Sequence, residues 1–154
     1  MRPALVIIAA ASLVAIGTAE ALASNAQLAE LPGRGRPALS GGGAALTLVG
    51  VALSVLVYAA LGALLARDTP ESAVVPIGVL VGGTAGLLGG AVRAYLIRDY
   101  LGGVMAGYGL ESLVALTLGI FVLLSVALSV AAGGLITWLS FRVARRPPRP
   151  RPPS

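Results

Sequence analysis

Cysteine, histidine and lysine are all absent from this 154-residue chain. Without cysteine there is no disulfide, no thiol nucleophile and no thiolate metal ligand. Without histidine there is no imidazole to relay protons or bind metal. Without lysine neither a Ser–Lys dyad nor a lysine-bearing phosphate loop can form. The glycine-rich run after Gly82 contains GxxxG steps, not a phosphate loop. Charge of either sign is scarce too. Only 11% of residues are Asp, Glu, Lys or Arg, against about a quarter in a soluble domain.

The sequence is rich in apolar residues instead. They make up 57% of it, and the mean hydropathy is +0.94. This composition predicts an all-α fold, an integral membrane helical bundle of four transmembrane helices. The spans fall at about 4–23, 44–66, 74–97 and 113–141, each long enough to cross a bilayer. Residues 1–141 form one transmembrane domain, followed by a basic Pro/Arg tail at 142–154. No polar stretch is long enough for a separate soluble domain.

The third span carries the strongest pattern. Gly78, Gly82, Gly86, Gly90 and Ala94 recur at every fourth position. Residues four apart stack on one helix face, so these five form a ridge nearly bare of side chains. Each interior glycine costs a helix about 0.5–1 kcal/mol in water. In a bilayer the helix is retained, because unpaired backbone groups there cost more. The ridge then admits another backbone at close range, as membrane helix pairs require. Gly50, Ser54, Gly62 and Ala66 form a small-residue row on the second span, interrupted by Tyr58, and a natural mate for the ridge. Ser125, Ser129, Gly133 and Thr137 form another on the fourth.

The first span admits two readings. Arg2, the apolar run and Ala21-Leu22-Ala23 suit a signal peptide cleaved before Ser24. The retained helix is the favoured reading, and cleavage would leave three spans. A polar connector with Pro32-Gly33 and Gly35-Arg36-Pro37 turn signals follows, its Arg34 and Arg36 solvated. In the connector at 67–73, Thr69 is placed to cap the next helix and Pro70 to open it. So short a link predicts that the second and third helices form an antiparallel hairpin. Residues 98–111 read as a glycine-rich interfacial loop bearing Tyr100 and Tyr108.

Arginine placement sets the orientation. Arg2, Arg67 and the tail arginines outweigh Arg34, Arg36, Arg93 and Arg98, which puts the C-terminus inside. The location expected is the cell (inner) membrane, multi-pass. Arg142, Arg145, Arg146, Arg149 and Arg151 then face anionic lipid headgroups. Arg93 reads as an interfacial anchor, with a pore or anion site as the functional alternative. Val51–Val55 and Val126–Val130 share the sequence VALSV, and Gly17-Thr18-Ala19 recurs as Gly83-Thr84-Ala85. Tandem hairpins would produce this, as would chance in a sequence of Ala, Val, Leu and Gly.

Every carboxylate falls at a span end or in a loop, so no mid-membrane acid pair is evident. No catalytic, cofactor or metal site is assigned, and the chain is expected to be neither an enzyme nor a nucleic-acid binder. The leading reading is a structural or accessory membrane protein. It packs through its GxxxG faces with itself or with a membrane partner. The alternative is a small oligomeric transporter or channel, with Ser54, Ser125, Ser129 and Thr137 lining a narrow path.

Overall fold

The computed structural model describes residues 3–29 and 41–146. Arg2, most of the 24–40 connector including Arg34 and Arg36, and the tail from Pro147 with Arg149 and Arg151 lie outside the described residues. Four α-helices make up the fold: α1 (Pro3–Ala29), α2 (Gly41–Leu65), α3 (Glu71–Ala106) and α4 (Val114–Ala144). All four are long and apolar enough to cross a membrane.

The helices exceed the expected spans at several ends. The clearest case is α3, which stays helical through 98–106 where a loop is expected. Nothing in that stretch stops it. There is no proline, and Gly102 and Gly103 weaken a helix without ending one. The chain reverses only at residues 107–110. There Gly109 adopts a φ of 69°, the left-handed region that favours glycine, before a 3₁₀ turn at Glu111–Leu113. The start of α3 differs as well. Pro70 is its N-cap and no side chain caps it. Thr69 is buried instead, and its carbonyl accepts a hydrogen bond from Arg145 Nη2 at 2.8 Å.

The helices form a ring in the order α1, α3, α4, α2. The α3–α4 pair is the most extensive, and α1–α3, α2–α4 and α1–α2 complete the circuit. Among the described residues α1 and α4 do not pair, and α2 and α3 barely touch. The expected α2–α3 hairpin is therefore not a packed unit. The short connector carries the chain across the ring, because α4 and not α2 offers the small-residue face that fits the ridge. The side-by-side contacts of α1 with α3 and of α2 with α4 also bear on the repeat. A two-fold axis of the kind in parallel-repeat transporters would set α1 diagonal to α3 and α2 diagonal to α4, which is not the pairing seen.

The apolar core occupies one end of the ring. Ala9 and Leu13 of α1 meet Tyr58, Leu61 and Leu65 of α2, Val74, Ile77 and Val81 of α3, and Phe141 of α4. Leucine and valine dominate the outward surface, as at Leu48, Leu56, Leu116, Leu123 and Leu135.

Candidate functional site

The ridge is consumed within the chain. A Cβ added at Gly78 would strike the backbone of Gly133, and one at Gly82 the carbonyl of Ser129. At Gly86 it would come within 2.9 Å of the Ser125 carbonyl oxygen, and at Gly90 within 3.1 Å of Ser125 Cβ. Gly78, Gly82, Gly86, Gly90 and Ala94 are all buried. The facing row is Ser125, Ser129 and Gly133 of α4, not the α2 row predicted as its mate. The α2 glycines serve other neighbours. Gly62 lies against Thr137 and Phe141 of α4, and Gly50 against Glu20 of α1.

Beyond the apolar core the ring opens into a cleft of about 360 Å³. Leu13, Tyr58 and Ile136 lie at its core end. Thr47 and Ser54 of α2 and Ser125 and Ser129 of α4 contribute hydroxyls, and Gly17 and Gly89 leave space in its wall. Ser125 Oγ donates to the Phe121 carbonyl at 2.9 Å within its own helix. Thr137 does not reach the cleft. It is fully buried beside Gly62, and its hydroxyl has no hydrogen-bond partner among the described residues.

Two charged side chains line this cleft among the described residues, and they meet. Arg93 Nη2 of α3 contacts Glu20 Oε2 of α1 at 2.5 Å. The Glu20 side chain is only 11% exposed and that of Arg93 36%. The sequence pattern alone predicts Glu20 as a span-end residue and Arg93 as an interfacial anchor. The structure places both against the cleft, because α1 runs alongside α3 in the same direction. By helix rise Glu20 lies ~25 Å along α1 from Pro3, toward the far end of the apolar stretch, and its side chain is packed against α2 and α3 and largely closed to solvent. A carboxylate so placed is costly unless paired. Arg93 supplies the pairing charge. Gly50 supplies the room, since a Cβ there would lie 2.6 Å from Glu20 Oε2. On the orientation expected from arginine placement, both residues fall at the same end of the bundle. That shared level and their opposite charge were the signals available in the sequence.

The basic end of α4 turns toward the protein. Arg142 donates to Glu71 Oε1 at 3.0 Å and stacks over Trp138, 4.4 Å from the ring centroid. Arg145 donates to the Ala66 and Thr69 carbonyls at 3.3 and 2.8 Å and lies over Phe141. These two arginines, expected to face lipid, hold α4 to the α2–α3 connector. Arg146 is exposed.

No protein-family model matches the chain, and searches of curated proteins and of solved structures find no match either.

Proposed function

We propose that the chain is a small multi-pass membrane protein that binds a polar solute within its own helical bundle, in the manner of a carrier. The observation that carries this reading is the Glu20–Arg93 pair in the cleft. Ionisable groups inside a membrane are costly and mark solute paths and binding sites. A volume of about 360 Å³ lies within the range of small-molecule sites. The apolar core at the other end of the ring, with Phe141, Val74 and Val81 almost wholly buried, argues against a continuous open pore through one chain.

The accessory reading has less support. It relies on small-residue faces meeting a partner, and the α3 ridge is already filled by α4. The outward faces are Leu- and Val-rich, which suits lipid tails. Retention of α1 fits the same picture. Ala21-Leu22-Ala23 is helical and Ala21 is buried. Cleavage after Ala23 would remove Glu20 and strand Arg93. The arginine-rich end of α4 suits the cytoplasmic face of the cell membrane, with the tail against anionic headgroups.

The absence of native cysteine provides a direct test. Single cysteines at Ser54→Cys and Ala132→Cys line the cleft, and Leu123→Cys faces outward. In membranes, a charged methanethiosulfonate reagent is expected to label the first two and spare the third. If both cleft variants stay unlabelled while Tyr108→Cys at the exposed turn reacts, the solute-binding reading is wrong.

A further inference from the structure

We propose, resting on the solute-binding reading, that Glu20 and Arg93 form a two-ended recognition site for a small zwitterion. The ligand carries an ammonium group and an anionic group a few bonds apart. Charge balance sets the preference. The pair is neutral as a whole, and its carboxylate is largely withdrawn from water. An anion drawn to Arg93 would meet the Glu20 charge beside it, and a cation drawn to Glu20 would meet Arg93. Either would leave one protein charge uncompensated in a poorly solvated place, which is the expensive outcome. A zwitterion avoids this. Its anionic end takes the guanidinium, which has five N–H donors, and its cationic end takes the carboxylate. Every charge stays paired as the internal ion pair exchanges for two ligand pairs.

The surroundings fit such a ligand. The cleft holds roughly a dozen water volumes, enough for a solute the size of an amino acid or a betaine. Ser54 and Ser129 add hydroxyls on the wall opposite α1 and α3. Gly17 and Gly89, which line the cleft with nothing within 4 Å of an added Cβ, leave the ligand its space. The same chemistry is offered by a free solute and by a zwitterionic lipid headgroup.

The test uses the full chain with Ser54→Cys, reconstituted in phosphatidylglycerol nanodiscs. The readout is the labelling rate with the charged thiol reagent, with and without trimethylglycine, acetate or tetramethylammonium. At ten times its Kd a bound ligand leaves about one-eleventh of the sites free, so trimethylglycine is expected to slow labelling about tenfold. Acetate and tetramethylammonium are expected to leave the rate unchanged. Glu20→Gln should abolish the protection. Should that variant fail to fold, Gly50→Ala displaces the carboxylate without removing its charge and should weaken protection severalfold. Discs containing phosphatidylethanolamine separate the sources. Slow labelling there with no added solute, if relieved by Glu20→Gln, makes the ligand a lipid headgroup. Protection by acetate or tetramethylammonium equal to that by trimethylglycine overturns the proposal. So does labelling that neither trimethylglycine nor phosphatidylethanolamine slows, although the cleft reading survives that result. No labelling in phosphatidylglycerol discs removes the cleft reading itself.

Discussion

Replacing Gly82 with alanine adds one methyl group, and the structure says where it must go. The new Cβ would fall on the Ser129 carbonyl, 2.8 Å from its carbon and 3.2 Å from Val130 Cα. All of these are backbone atoms, so no side chain can swing aside. The α3 and α4 backbones must separate until the methyl reaches ordinary contact. Overpacking of this kind costs about 1–3 kcal/mol, offset by the ~0.5–1 kcal/mol gained when alanine replaces glycine in a helix. The control is Gly89→Ala on the same helix, where an added Cβ meets nothing within 4 Å. That variant keeps the propensity gain and carries no packing cost. The propensity gain is common to both, so the two should differ by the packing cost alone, about 1–3 kcal/mol, or ~2–12 °C in Tm for a chain of this size. Thermal unfolding in detergent, followed by circular dichroism and by the fluorescence of the single tryptophan, reads the difference. If Gly82→Ala melts at or above Gly89→Ala, the ridge is not in backbone contact with α4 and the helix order is wrong.

Other perturbations separate the remaining contacts. Arg93→Gln should cost about 1–3 kcal/mol, less than the ~3–5 kcal/mol of a fully buried pair, because the guanidinium is partly open to solvent. In the double-mutant cycle with Glu20→Gln, a coupling of ~1–3 kcal/mol is expected; additive losses mean that the two side chains do not pair. Arg145→Ala should speed amide exchange at residues 66–70, since it frees the carbonyls of Ala66 and Thr69, while Arg142→Ala should leave stability close to wild type because its partner Glu71 is exposed. Equal exchange in wild type and Arg145→Ala would dismiss the clamp. Gly89→Leu should retain wild-type stability or better yet slow labelling of Ser54→Cys severalfold, because the leucine enters the cleft without striking a backbone. An unchanged rate would show that the cleft lies elsewhere.

The helices were readable in the sequence because their signals are local. Apolar runs of sufficient length, the Pro70 boundary and the four-residue glycine period depend only on residues near one another. The partner of the ridge was not readable that way. Both α2 and α4 carry rows of small residues, and choosing between them needs the fit of Gly78 to Gly133 and of Gly82 to Ser129. The interruption at Tyr58 is the local clue that α2 is the poorer mate. Its ring is buried beside Gly133, so it fills the space that a second close backbone would need. Glu20 and Arg93 were hidden for a different reason. Each looks ordinary at the end of its own span, and only the α1–α3 packing brings them together as a pair.

Glycine has two separate uses in this fold, and both are found around the cleft. At Gly78, Gly82 and Gly133 the missing side chain lets backbones touch, and a Cβ has nowhere to go. At Gly17 and Gly89 the missing side chain leaves room that no neighbour fills. Packing alone does not explain the second group, since alanine or leucine there would strengthen the helix and bury more apolar surface. Gly50 links the two uses. Its absent Cβ admits not a helix but the carboxylate of Glu20, the group a tightly packed apolar bundle has most reason to exclude. A bundle built only for stability would close that space with a methyl group and have no need of Arg93. On the proposed reading, Gly17 and Gly89 beside the Glu20–Arg93 pair are the room that a bound solute would take.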